Sequence, residues 1–380
     1  MTAILAGVAA LLASVSLGII IAGATAVWRF VRRPAVTAGP CPPITVLKPL
    51  CGGEPLLEQA LASICGQDYP AFQVVFGVQD PHDPALHTVR RLQGRFPACD
   101  IAVVVNGTSH GPNRKVGNLI NMLPAARHDT LVCSDSDLHL EPDYLRRIAA
   151  ALDVPGTGLV TTVCTGLPTA PGWAARLGAT GISHSFLPGA LLSRALGRED
   201  CLGTTMALTA DTLAQVGGLA TLVHHLADDN VLAQRVHALG LYVGLADTVP
   251  MTAVPEVSLR ALWQHEMRWA RTIRALEPAL FATSTLQFPL FWSAAAMVLS
   301  GGAGWSVTLF AVAWAARAVA AQAVSLMLGG ARPMAAIPFA LLPVRDMLSV
   351  SQVAWSYGSS RVVWRGHVMQ ADNGRASARA

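Results

Sequence analysis

Strand-like and helix-like segments alternate between residues 44 and 245, the pattern of an α/β domain with a mostly parallel sheet. Apolar stretches long enough to cross a bilayer lie before and after that region, so transmembrane helices are expected at both ends. Aspartates stand where the strands stop, the side on which an open α/β sheet receives its ligand.

The first element is Ala3–Val27, an apolar run followed at once by Arg29, Arg32 and Arg33. A cleaved leader carries its charges ahead of the apolar core. Here they follow it, so residues 1–33 read as an uncleaved anchor with the next domain in the cytoplasm. A Pro- and Gly-rich linker, Pro34–Pro43, leads into strand Ile44–Leu50, helix Leu56–Gln67 and strand Phe72–Val78. Helix Pro84–Phe96, strand Ile101–Asn106, helix Val116–Leu123, strand Thr130–Cys133 and helix Pro142–Leu152 continue the alternation. Trp173–Leu196 mixes Trp, Phe and Leu with Gly, His184 and Arg194 and reads as a segment lying on the membrane. Strand Leu202–Leu208, helices near Thr212–Val216 and Asn230–Ala238, and strand Tyr242–Leu245 complete the domain, taken as 34–280. Ser258–Arg274 is amphipathic, with arginines and tryptophans suited to the headgroup layer. Residues 281–360 hold two or three apolar segments, Phe291–Ser300, Trp305–Leu328 and Ala335–Tyr357. Arg317 and Arg345-Asp346 interrupt the last two and should face protein. A basic tail, 361–380, closes the chain, its last residues without a pattern of order.

Of the 380 residues 52% are apolar and only 13% charged, against roughly a quarter charged in soluble domains. The net charge of +4 comes without Lys/Arg clusters, which argues against a nucleic-acid partner. Seven cysteines are scattered with no Cys-x-x-Cys pair, so they read as reduced thiols and not as a zinc site or a disulfide framework. No Gly-x-x-x-x-Gly-Lys loop, no Gly-x-Gly-x-x-Gly and no zinc-protease motif is present.

Asp135-Ser136-Asp137 is the strongest local signal. Two carboxylates at a strand end can share one Mg²⁺ or Mn²⁺ with phosphate oxygens, although an Asx-rich turn has the same composition. Asp80 closes strand Phe72–Val78, while Asp83 suits the cap of the following helix. Lys115 and Asn118, at the start of the next helix, face the same crevice in this reading and suit a diphosphate. Asp228 and Asp229 open a helix; the first suits a cap and the second a base taking a proton from a hydroxyl. In Arg268-Trp269 the guanidinium suits a departing diphosphate and the indole an acceptor pocket, while membrane anchoring is the rival role.

In this combination the chain resembles the ceramide glucosyltransferase family over nearly its whole length. The resemblance is carried by Val78-Gln79-Asp80, Lys115 with Asn118-Leu119, Ser134-Asp135-Ser136, Gly181-Ile182-Ser183-His184, Ala227-Asp228-Asp229 and Arg268-Trp269. It implies a GT-A fold, use of a UDP-sugar on the cytoplasmic face of a bacterial inner membrane, and inversion at the anomeric carbon. It also implies that Asp80 contacts the uridine, that Asp135 and Asp137 serve a divalent metal, Mg²⁺ or Mn²⁺, and that Asp229 is the base. His184 and His265 would lie near the nucleotide sugar or acceptor, His265 standing where the family has Gln or Arg. The composition and the segment Gly111–Leu119 look most like a bacterial branch associated with hopanoids. That branch implies N-acetylglucosamine transfer from UDP-GlcNAc to bacteriohopanetetrol, with glucose transfer to ceramide as the alternative. A non-catalytic lipid-binding protein on the same fold would be expected to lose a carboxylate, and all are present.

Overall fold

The computed structural model describes residues 1–33, 39–329, 339–364 and 367–372. The first five residues of the expected linker, the start of the third apolar stretch, Arg365 and the terminal residues lie outside them. Two compact units form. One comprises 39–165 and 198–255; the other gathers 1–33, 166–197 and the described residues from 256 to 372.

The first unit is built on a seven-stranded sheet ordered β3-β2-β1-β4-β8-β6-β9. The strands are β1 (Ile44–Pro49), β2 (Phe72–Val78), β3 (Asp100–Val105), β4 (Thr130–Ser134), β6 (Thr157–Thr161), β8 (Thr205–Thr209) and β9 (Tyr242–Leu245). All neighbouring pairs are parallel except those made by β8, which runs antiparallel between β4 and β6. β1, β2 and β4 centre on apolar residues because both faces of the sheet are covered. On one face α2 (Leu57–Cys65), α3 (Ala85–Arg95) and α5 (Tyr144–Leu152) pack over Ile44, Val46, Val74 and Phe76. On the other α4 (Arg114–Met122), α8 (Ala210–Gln215) and α9 (Asp228–Ala238) pack over Leu47, Val75, Leu131 and Leu208. β5 (Leu138–His139) pairs antiparallel with β10 (Met251–Val254), bringing Thr252 opposite Leu138 just beyond the Asp135–Asp137 turn.

The second unit holds two helices long and apolar enough to cross a membrane, α1 (Thr2–Val31) and α13 (Gly304–Met327). At ~1.5 Å per residue each exceeds the ~30 Å hydrocarbon layer. β7 (Thr165–Pro168) leads from the first unit toward α6 (Trp173–Gly181), and a wide π turn (Ile182–Phe186) joins α6 to α7 (Leu187–Ala195). α10 (Leu259–Leu276) is capped by Ser258, whose hydroxyl accepts from the Ala261 amide. α11 (Pro278–Thr283) and α12 (Pro289–Leu299) are short, and Gly301 and Gly302, at φ +67° and +75°, end α12 before α13 begins.

Arg317 is buried within α13, donating to the His184 carbonyl and the Ser185 hydroxyl, both at 2.8 Å, and facing Asp346 at 3.5 Å. α14 (Leu342–Ser356) has 15 residues and buries a polar stripe of Arg345, Asp346, Ser349, Gln352 and Ser356. The third apolar stretch therefore does not form a helix of crossing length among the described residues. A hairpin of β11 (Arg361–Trp364) and β12 (His367–Gln370) follows, its Arg361 carbonyl accepting from Arg271 of α10 at 2.6 Å.

Candidate active site

At the end of β4 the chain turns through Asp135, Ser136 and Asp137, and each group there is held. The Asp135 amide donates to the Thr204 carbonyl at 3.1 Å, and its carbonyl accepts from Lys48 Nζ at 2.5 Å. Ser136 Oγ donates to Glu54 at 2.6 Å and Thr252 Oγ1 donates to Asp137 at 2.5 Å. Lys115 Nζ pairs with the Asp135 carboxylate at 2.6 Å. Burial, then the neighbouring Asp135 charge, push Asp137 up to about 6. Burial brings Lys48 down to about 8 against the pull of Asp137 and Asp135.

Lys115 joins this turn to the start of α9. It also donates to the Gly203 carbonyl at 3.3 Å. Burial works against its charge, but Asp135, Asp228 and Asp229 together keep its pKa above the ordinary lysine value. Asp228 is buried and accepts from Asn113 Nδ2 at 3.3 Å, leaving its second oxygen without a protein partner. Burial and then the Asp228 charge raise Asp229 to about 7. Gly203, at φ +76°, makes room for this group: an added Cβ would stand 2.5 Å from Asp229 Oδ2.

The structure thus brings Asp135, Asp137, Lys115, Asp228 and Asp229 together. Asp80 lies exposed at the end of β2, its carboxylate accepting from the His82 amide at 2.8 Å. Asn118 is buried, and its amide donates to the Gly77 carbonyl at 2.8 Å, tying α4 to the C-terminal end of β2. The side-chain-free Gly77 permits that approach, since a Cβ there would lie 2.8 Å from Asn118 Oδ1. The expectation of Asp228 as a cap is corrected: α9 has no side-chain cap and includes both aspartates in its first turn.

His184, His265, Arg268 and Trp269 belong to the membrane unit. His184 is buried in the π turn with Nε2 2.9 Å from Ser325 Oγ. On α10 the His265 ring meets Trp269 edge-on at 4.5 Å, its Nδ1 hydrogen-bonds Glu256, and the Arg268 guanidinium lies 5.8 Å from the Trp269 ring centre.

Sequence reasoning missed Lys48, Glu54, Asn113, Gly203 and Thr252. Only Lys48 had a local signal, a lone charge inside the apolar run Ile44–Leu50.

Among the described residues no group of three His, Cys, Asp or Glu side chains forms a metal cage. The donor set nevertheless fits Mg²⁺ or Mn²⁺. Such ions take one or two protein carboxylates and complete their shell with phosphate and water oxygens. Burial, and after it the neighbouring Asp135 charge, disfavour the ionised form of Asp137, which a cation at this turn would relieve.

The fold resembles that of a mannosyltransferase from Pyrobaculum calidifontis solved with GDP-Man and Mn²⁺, with TM-score 0.51 and 21% identity over 92% of this chain and 99% of that one. Ceramide glucosyltransferase 1 of Caenorhabditis elegans is 24% identical over 248 residues, 65% of this chain and 53% of that protein. Ceramide glucosyltransferase of Komagataella phaffii is 33% identical over 123 residues, 30% of this chain and 24% of that protein. The chain therefore spans about half or less of these relatives' length. The model of glycosyl transferase family 21 matches residues 8–377, nearly the whole sequence. With its GT-A fold and its acids at the strand ends, the chain belongs to glycosyl transferase family 21.

Proposed function

We propose that the protein is an inverting, metal-dependent glycosyltransferase that moves a sugar from a UDP-sugar to the hydroxyl of a membrane lipid. The observation that carries this reading is the position of Lys115, which pairs with Asp135 at 2.6 Å and donates at 3.3 Å to the carbonyl of Gly203, the residue against which Asp229 packs. Family membership and the ceramide glucosyltransferase relatives favour glucose transfer to a ceramide-type acceptor. Nothing in them supports the N-acetylglucosamine and bacteriohopanetetrol expected from the sequence. We place the protein in a bacterial inner membrane with the Asp-bearing unit in the cytoplasm, on the strength of Arg29, Arg32 and Arg33 directly after α1.

In this mechanism Asp80 meets the uridine and Lys115 carries diphosphate charge. Asp135 and Asp137 would hold the divalent ion, which when bound would offset the charge that develops on the leaving diphosphate. Lys48 and Thr252 keep the Asp135–Asp137 turn in place. Asp229, poised by burial and by Asp228 to accept a proton near neutrality, removes it from the acceptor hydroxyl. The roles of Arg268 toward the departing diphosphate, and of Trp269 and His265 toward the sugar or acceptor, are those the family resemblance implies. The role of His184 on the acceptor side follows from the family resemblance alone.

The test is transfer in membranes containing the protein or its Asp229→Asn variant, with labelled UDP-glucose or UDP-GlcNAc, ceramide or bacteriohopanetetrol, and Mg²⁺, Mn²⁺ or EDTA. Metal-dependent glucosylation of ceramide, lost in the variant, is expected. Labelling of bacteriohopanetetrol would replace the acceptor assignment, and no transfer with any pairing would overturn the enzyme reading.

A further inference from the structure

Two residues from the Arg268-Trp269 pair, α10 carries a carboxylate turned into protein. Glu266 receives both arms of Arg345 on α14, Nη1 to Oε1 at 2.7 Å and Nη2 to Oε2 at 3.0 Å. Gln352 Nε2 adds a third bond at 2.6 Å. Arg345 is only 2% exposed and spends its remaining donors on Ser349 Oγ, Gln352 Oε1 and the Leu177 carbonyl of α6. Gly181 allows α6 to close over the pair, since a Cβ there would lie 3.0 Å from Arg345 Nη1 and 3.4 Å from Glu266 Oε1.

Burying an ion pair stabilises a fold little, because desolvation offsets the attraction, whereas a fully satisfied network specifies one arrangement. A helix turns ~100° per residue, so pinning Glu266 by two partners on α14 sets where His265, Arg268 and Trp269 point. That cluster is already ordered around Trp269 and by the His265–Glu256 bond. The lysine alternative could not serve equally, since an ammonium lacks the planar two-armed fit to a carboxylate.

We propose that Arg345, with Gln352, is a positioning residue for sugar transfer: by gripping Glu266 it fixes the rotation of α10 and so the aim of Arg268 and Trp269. This rests on the role given above to the Arg268-Trp269 pair. It also assigns α14 a task other than crossing the membrane, that of bracing α10.

The experiment uses the full chain in lipid nanodiscs. The variants are Arg345→Met, Arg345→Lys, Glu266→Gln and the double variant Glu266→Gln with Arg345→Met, which leaves no unpaired buried charge. Asp346→Asn is the control, breaking the adjacent buried contact with Arg317 without touching α10. Each is read by kcat, donor KM, thermal unfolding and hydrogen exchange of the α10 amides. Expected are a kcat at least tenfold lower in Arg345→Met and in the double variant, a smaller change in donor KM, faster exchange in α10 and partial recovery in Arg345→Lys. The control keeps kcat at equal loss of thermal stability. Wild-type kcat in the folded double variant, or equal loss in the control, would overturn the proposal. If the wild type transfers no sugar, the enzyme reading falls and positioning for transfer falls with it. Unchanged α10 exchange would remove the bracing role even in an active enzyme.

Discussion

Asp229→Asn separates catalysis from stability because the two should move in opposite directions. Burial and Asp228 raise this carboxyl from 3.8 to about 7, so the folded state binds its proton more tightly than the unfolded chain does. Stability is therefore lost as pH rises from about 4 to about 7, and the cost of holding the ionised group is complete above pH 7. Three pH units correspond to at most ~4 kcal/mol. The group borders the crevice and keeps the Asn230 amide as partner at 2.8 Å, so the recoverable share is on the order of 2 kcal/mol. The neutral variant should then melt several degrees higher than wild type at pH 8.5 and level with it near pH 4. Its transfer rate should fall by about 10²–10⁴-fold. Wild-type kcat should rise with pH through about 7 and then level, because the base works only when ionised. Thermal unfolding in nanodiscs at the two pH values, beside single-turnover transfer, reads all of this. Equal melting shifts at both pH values, or a variant that retains transfer, would refute the reasoning.

Gly203→Ala places a methyl 2.5 Å from Asp229 Oδ2 at a backbone φ of +76°. The left-handed conformation alone costs about 1–2 kcal/mol. We expect lower thermal stability together with at least a tenfold fall in kcat, checked by unfolding and rate on the same sample. Lys48→Met leaves the Asp135 carbonyl without its cation and loosens the turn. Supporting groups of this kind alter metal affinity by about 10–100-fold, so Mn²⁺ binding followed by electron paramagnetic resonance should weaken by about tenfold without added donor.

The sheet was readable because β1, β2 and β4 each centre on apolar residues, Val46-Leu47, Val74-Val75-Phe76 and Leu131-Val132-Cys133, as strands covered on both faces must. Thr157–Thr161 was not, since Gly158 and two threonines in five residues resemble a turn as much as a strand. The two-residue β5 carries no period at all. Asp135 and Asp137 announced themselves as paired acids after an apolar run, and Asp228 and Asp229 as an acid pair opening a helix. Lys48 and Thr252 reach them only through strand pairing, which brings positions 87 and 115 residues away to the same turn. In the membrane unit, Arg345 and Asp346 read as interruptions of an apolar span, and the structure makes them the inward face of α14. The choice between ceramide and a hopanoid was only weakly legible, because both are elongated lipids with a terminal hydroxyl, and no motif marks the residues that would meet the C2 group of the sugar.

The central claim is a single displacement in which Asp229 deprotonates the acceptor hydroxyl while the UDP leaves from the opposite face. The anomeric configuration of the product, read by proton NMR coupling at C1 after transfer from an α-linked UDP-sugar, tests it most directly. The account predicts a β-glycoside; an α-glycoside would require retention and would contradict it.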